Sequence, residues 1–256
     1  MLENELNGVM NVNVLPEQAS ALTALTGGMN LNGNLSVEKG TTILSGQPVA
    51  HAGGVGVDDD WNTSLFEADQ INAGNGEHFQ VGEYAGVKAN IVTAESATLS
   101  LGYNDSAQAG EKSCRCYSAI YSDDVSGSQP VRSADTLALL TASEVEGNIQ
   151  LANNSSLYLA KVNYQGAVTS TGGSLMTLDA NANWTMTGNS NVTSLLAQRG
   201  STLSMVPSGS WSAKTLSVDS LDATGLNLML SVKPSALESD KLIVKTQWVV
   251  VIAFWL

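Results

Sequence analysis

Ile149-Gln-Leu-Ala-Asn-Asn-Ser-Ser-Leu-Tyr-Leu159 is the stretch on which the fold turns. Apolar residues stand at its first, third, ninth and eleventh positions, with Asn-Asn-Ser-Ser between them. Alternation of two is the signature of a strand with one buried face. A central residue able to adopt a left-handed backbone, such as Asn154, supplies a tight corner between two strands. The same arrangement recurs in Leu35-Ser-Val-Glu-Lys-Gly-Thr-Thr-Ile-Leu-Ser45, in Ile91-Val-Thr-Ala-Glu-Ser-Ala-Thr-Leu-Ser-Leu101, in Met176-Thr-Leu-Asp-Ala-Asn-Ala-Asn-Trp-Thr-Met186 and in Leu195-Leu-Ala-Gln-Arg-Gly-Ser-Thr-Leu-Ser-Met205. Gly40, Asn154, Asn181 and Gly200 are its expected corner turns. The last three copies start 27 and then 19 residues apart, at 149, 176 and 195, a spacing suited to the turns of a solenoid. Two-residue hairpin signals of the Asn-Gly type are scarce, so parallel stacking of successive turns is favoured over antiparallel hairpins. An all-β chain coiled as a parallel β-helix is the predicted fold. Leu157, Leu159, Leu178, Trp184, Met186, Leu203 and Met205 are its expected stacked core.

Residues 147–245 read as the cleanest turns and residues 1–101 as further turns, interrupted by a Gly- and Asp-rich excursion at 53–83. Residues 102–146 read as a protruding loop, followed by a short helix opening at Ser133-Ala-Asp-Thr-Leu-Ala-Leu-Leu. Some eight to ten turns fit the length. The final stretch, 246–256, changes composition abruptly: Trp248-Val-Val-Val-Ile-Ala-Phe-Trp-Leu256 is apolar throughout, yet far short of the roughly 20 residues that span a bilayer as a helix.

Composition limits the chemistry. The chain has 256 residues, only 14% of them charged and 5% aromatic, with 24 Gly and 5 Pro. Eleven basic against 24 acidic residues give a net charge of −13. No basic cluster is available to neutralise phosphates, which excludes nucleic acid as an expected partner. A hydrophobic fraction of 43% disfavours disorder. The opening Met1-Leu-Glu-Asn-Glu-Leu-Asn does not read as a signal peptide, so this stretch expressed alone is expected to stay in the cytoplasm.

Candidate sites are few. Cys114-Arg-Cys116 lacks the two-residue spacer of a redox pair, and a local disulfide pinning a loop is favoured over free thiols and over redox or metal function. His51 and His78 lie in Gly-rich surroundings with no metal-ligand spacing. Asp58-Asp-Asp60 lacks the spaced ligands, central Gly and closing Glu of a calcium loop, and reads as a solvated turn. No serine nucleophile motif occurs. Trp61, Trp184 and Trp211 are expected to stack in the core rather than on carbohydrate. No cofactor, metal or catalytic residue is expected.

Five blocks in two regions extend this reading. Leu31-Asn-Gly-Asn-Leu-Ser-Val-Glu-Lys-Gly-Thr-Thr-Ile-Leu-Ser-Gly-Gln-Pro-Val-Ala-His51, with Asp58-Asp-Asp-Trp-Asn-Thr-Ser-Leu-Phe-Glu-Ala-Asp69 after it, resembles the stalk of the secreted serine protease autotransporters of enteric bacteria, of the peptidase S6 or IgA1-protease-like kind. Asn183-Trp-Thr-Met-Thr-Gly-Asn-Ser-Asn-Val-Thr-Ser-Leu195, Lys214-Thr-Leu-Ser-Val-Asp-Ser-Leu221 and Ser239-Asp-Lys-Leu-Ile-Val244 are similar to the autochaperone region that closes such passengers. The resemblance covers about residues 5–245 and implies a right-handed, single-stranded β-helix. It also implies an upstream protease domain and a downstream outer-membrane β-barrel as partners in an intact homologue, and an extracellular or cell-surface location. The protease triad lies upstream of every matched block, so no catalytic residue carries over. The stretch 246–256 departs from the family pattern, as a shifted reading frame would produce. A monomeric, non-enzymatic scaffold and folding nucleus is the function implied. The alternatives are an adhesin-like module whose loop 102–132 contacts host protein or glycan, and a carbohydrate-active β-helix enzyme.

Overall fold

The structure, a computed structural model, describes residues 4–7, 10–12, 22–25, 29–32, 35–37, 40–44, 47–48, 50–51, 54–55, 61–62, 64–82, 85–102, 143–179, 181–206 and 209–255. Nearly every strand pairs in parallel with the strand one turn earlier and the strand one turn later, so the sequence coils into three stacked faces. The first face runs through Met29–Asn32, residues 64–67 and 85–88, Ser143–Glu146, Val162–Gln165, Asn183–Thr185, Thr202–Ser204 and residues 227–229. Leu35–Val37, residues 71–73 and 91–93, Ile149–Leu151, Val168–Ser170, and then residues 190–192 and 216–218 build the second. The third comprises Thr41–Leu44, His78–Val81, Thr98–Gly102, Ser156–Ala160, Leu175–Leu178 and residues 194–197 and 220–223. This is a parallel β-helix, one strand per face per turn.

Register explains why the pattern repeats. Phe79, Leu99, Leu157, Met176, Leu195 and Leu221 are direct partners up the third face, and all but Leu195 and Leu221, at 2% and 1% exposure, are wholly buried. A slip of one residue would turn such a column toward solvent, so the buried lumen fixes the pairing. Full burial of each side chain of this size stabilises by roughly 1.5–3 kcal/mol.

Four boundaries drawn from sequence change. The excursion placed at 53–83 holds a complete turn in its second half: Ser64–Ala73 and His78–Val81 are strands, with Phe66, Ile71, Phe79 and Val81 in the core. Gly74-Asn-Gly76 read as loop, but it is a corner. Residues 47–48 pair antiparallel with 61–62, and 50–51 with 54–55, a small nested hairpin that leaves the coil after Leu44 and returns at Ser64. The loop and helix expected at 102–146 fall mostly outside the described residues. Ser143–Glu146 is nevertheless a strand, its alternating Ser143 and Val145 buried between residues 86–88 and Val162–Gln165. Packing between two turns overrides the helix-forming character of those residues. The stretch 246–256 is not separate in backbone terms, because Lys241–Trp255 is one strand paired to Thr215–Met229 as far as Met229 with Trp255.

The copy at 35–45 also departs from its template. Its buried residues on the third face are Thr42 and Leu44, beneath Phe79 and Val81, one position earlier than the template places them. The corner through Gly40 is one residue shorter than the others, and the period-two set shifts accordingly.

Candidate functional site

The densest part of the lumen is built on the first face. Trp184 and Tyr164 occupy one column, wholly buried, with ring centroids 6.3 Å apart and planes 19° from parallel. Buried polar tips need partners. The Trp184 indole donates to the Gly166 carbonyl at 2.9 Å, and the Tyr164 hydroxyl donates to the Ala167 carbonyl at 3.2 Å. Burial pushes the Tyr164 phenol far above its ordinary range, so it remains a donor. Gly166 permits this: a Cβ there would stand 1.9 Å from the Gly147 carbonyl oxygen and 2.5 Å from the Tyr164 hydroxyl. Leu203 continues the column above Trp184, and Met186 and Met205 close the corner beside it, none more than 1% exposed. Leu157, Leu159 and Leu178 are wholly buried on the third face.

The tight corners, at Gly40 and Asn154 between the second and third faces and at Asn181 and Gly200 between the third and first, share one geometry. Asn154 and Asn181 take φ of 59° and 61°, and Gly40 and Gly200 take 100° and 89°. Asn is the side chain best suited to a left-handed backbone after Gly. Ser96, Gly76 and Gly173 hold the same position on other turns at φ of 59°, 72° and 77°. Except at Gly40, where Thr41 is half-buried, the residue that follows is fully buried: Ala97, Ser155, Ser174, Ala182 and Ser201, and Glu77 after Gly76. Where it is Ser, its hydroxyl caps a carbonyl, as in Ser201 to Gln198 at 2.6 Å and Ser174 to Thr171 at 2.7 Å.

Glu77 breaks that series. It is wholly buried, and neither carboxyl oxygen makes a hydrogen bond of ordinary geometry. Burial raises its pKa, and the hydroxyl and backbone of Thr42, one turn below, only partly offset this. His78 lies on the outer side of the same strand, its Nε2 2.9 Å from Ser100 Oγ and 3.0 Å from Gln80 Nε2. Burial lowers its pKa to about 4, so the ring is neutral over most of the pH range.

Other candidates scatter. Trp211 is not a core residue: it is half-buried in the loop before Thr215, with the Lys233 ammonium 5.9 Å over its ring and its indole nitrogen unbonded. Cys114, Cys116 and Asp58–Asp60 lie outside the described residues, as do the side chains of His51 and Trp61. Among the described residues no group of three or more His, Cys, Asp or Glu could hold a metal ion. A surface hollow of about 240 Å³ against Gln150, Thr169 and Ser170 has no charged side chain in its lining. Another, of about 290 Å³ beside Leu196 and Ser220, has one carboxylate, Asp222, and no second to face it.

Besides Glu77, two buried charged residues, Lys214 and Asp240, went unmarked in the sequence. The Asp240 carboxylate accepts from the backbone N–H of Lys214 and of Ser231, both at 2.8 Å, while the Lys214 ammonium donates to the Met205 carbonyl at 2.8 Å. Together they tie the loops at 205–214 and 230–240 onto the upper turns. A Lys and an Asp 26 residues apart carry no sequence pattern that announces such a pairing.

A coil of parallel strands around a mostly apolar lumen is a β-solenoid, and the sequences it resembles are serine protease autotransporters. The Immunoglobulin A1 protease autotransporter of Haemophilus influenzae is 33% identical over 217 residues, covering 77% of this chain and 12% of the relative. The IgA-specific serine endopeptidase autotransporter of Neisseria gonorrhoeae is 29% identical over 208 residues, covering 74% and 13%. Serine protease EatA of Escherichia coli is 27% identical over 237 residues, covering 88% and 16%. Among solved structures, the Haemophilus influenzae Hap adhesin aligns over 89% of this chain and 32% of its own, with a TM-score of 0.44 and 17% identity. The chain belongs to the PIC/HAP1/IgA0 second beta-solenoid repeat region family, which matches residues 8–178. It is therefore a β-solenoid region of serine protease autotransporter passengers, and it spans about an eighth of the length of the Haemophilus relative.

Proposed function

We propose that this chain is a non-catalytic stalk, a spacer that carries an upstream protease domain away from a downstream outer-membrane barrel. Its upper turns serve as the folding nucleus during export to the cell surface. The observation that supports this is the grading of the coil. From Ser143 to Ser204 successive turns follow with short corners, and above them Thr215–Met229 continues a lumen filled by Tyr164, Trp184, Leu203 and Leu228, with the Lys214 and Asp240 ties holding the one longer loop. Below, the hairpin of residues 45–63 and the polar pair Thr42 and Glu77 interrupt the stack. In a solenoid each turn needs only its neighbour, so a well-packed end can template the rest. Limited proteolysis along a urea titration tests this. Residues 147–245 are expected to persist as a protected fragment after 1–146 has been cut, and equal susceptibility of the two parts refutes the nucleus.

A further inference from the structure

We propose that the junction between the turn at residues 29–44 and the turn at 64–81 is a protonation-controlled seam, closed while the Glu77 carboxyl is neutral and loosened when it ionises. The geometry carries this. At the place where the turns above bury Ala97, Ser155 or Ser174, this turn buries a carboxyl with both oxygens sealed from solvent and without a hydrogen bond of ordinary geometry. The corner directly below is Gly40, whose carbonyl accepts the His78 N–H at 2.9 Å, and the residue facing the carboxyl is Thr42. Above, the Thr98 N–H donates to the Glu77 carbonyl at 2.8 Å, and Glu95, on the next corner, is exposed. On its own corner the neighbours are Asn75 and neutral His78. Among the described residues no Lys or Arg compensates the charge, so the ionised form is held against the lumen without a partner.

The covalent connection across the seam is also long. The two turns are joined through residues 45–63 rather than a short corner, so the ladder between them can part without straining the chain. Because burial favours the neutral acid, ionisation of the unfolded or opened form pulls the seam apart as pH rises above the ordinary carboxyl range. It does so by at most a factor of about ten per pH unit, levelling off above the folded-state pKa. His78 acts in the opposite direction below its ordinary pKa, which makes a difference between variants the proper readout.

Hydrogen exchange by mass spectrometry on the full chain, corrected for intrinsic rates, tests this from pH 4.5 to 8. The ratio of protection in residues 35–44 between Glu77→Gln and wild type is expected to exceed one and to grow with pH by tenfold or more. Protection in residues 149–159 should change little. A ratio that is flat with pH, or below one, overturns the seam. Should Glu77→Gln fail to fold, His78→Gln decides: protection of 35–44 that falls with rising pH supports the proposal, and a flat or rising trend refutes it.

Discussion

Replacing Trp184 by Ala tests whether the coil stores its stability turn by turn. The ring is wholly buried, stacked on Tyr164 and capped by Leu203, and its N–H satisfies the Gly166 carbonyl. Truncating a buried Trp typically costs about 3–5 kcal/mol, and in the closed lumen only the adjacent Met186 and Met205 could relax into the void. That loss equals roughly two to three and a half orders of magnitude in an opening equilibrium. Trp184→Phe separates the parts: the ring contact is largely kept, and the orphaned Gly166 carbonyl costs about 1–3 kcal/mol. Because each turn contacts only its neighbours, the faster exchange should concentrate in residues 162–204, while residues 64–101 keep wild-type protection. Site-resolved hydrogen exchange, with urea midpoints as the global measure, reads both. A loss below about 1 kcal/mol for the Ala variant, or one spread evenly down to residues 64–101, refutes the reasoning.

Gly166→Ala should destabilise by a few kcal/mol, roughly 2–4, because the added Cβ would stand 1.9 Å from a backbone oxygen that can move only by separating two turns; thermal denaturation by circular dichroism checks it. His78 has a folded-state pKa lowered to about 4, so above about 6.5 both states are neutral, and as pH falls toward 4 the unfolded chain gains a proton that the folded chain refuses. Stability is therefore lost on acidification through that window, by at most ~3 kcal/mol and by less once solvent screening of the part-exposed ring is allowed for. His78→Gln should flatten that limb in urea midpoints taken between pH 4.5 and 7.5, and an unchanged slope counts against the burial.

The parts of the fold legible in sequence are those where one position decides one thing. Alternation across Ile149–Leu151 and Ser156–Ala160 announces two strands, and Asn154 between them announces the corner. What escapes notice depends on partners a turn away. Gly74-Asn-Gly76 looks like loop until Phe66, Ile71 and Phe79 are seen to continue columns begun at Leu31, Leu35 and Thr42. The shorter corner at Gly40 moves the inward set by one residue, which no local pattern reveals. Glu77 could be noticed only by aligning the corners and asking why one carries an acid where the rest carry Ala or Ser. Asp240 and Lys214 need the coil itself to bring residues 205–214 and 230–240 together.

The scarcity of charge follows from the same register. In a parallel, in-register stack every outward side chain faces its counterpart about 4.8 Å away on the next turn, so a repeated charge would repel itself up the whole face. The charges that are present obey this. Glu67, Lys88 and Glu146 are successive partners of alternating sign on the first face, with Lys88 Nζ 3.4 Å from Glu67 Oε1, and Gln165 continues the column without charge. Asp219 and Lys245 meet at 2.7 Å between Thr215–Met229 and the strand Lys241–Trp255 stacked on it. Glu144 is followed by Asn163 and Asn183, each of whose amides donates to the residue one turn below, at 2.7 and 2.9 Å, so one carboxylate is relayed through neutral partners instead of meeting another. These exposed pairs add little stability individually. Their consequence is to let an acidic chain stack at all: Ser, Thr, Asn and Gln fill the outward ladder because amides and hydroxyls can both donate and accept with a copy of themselves, and a carboxylate cannot.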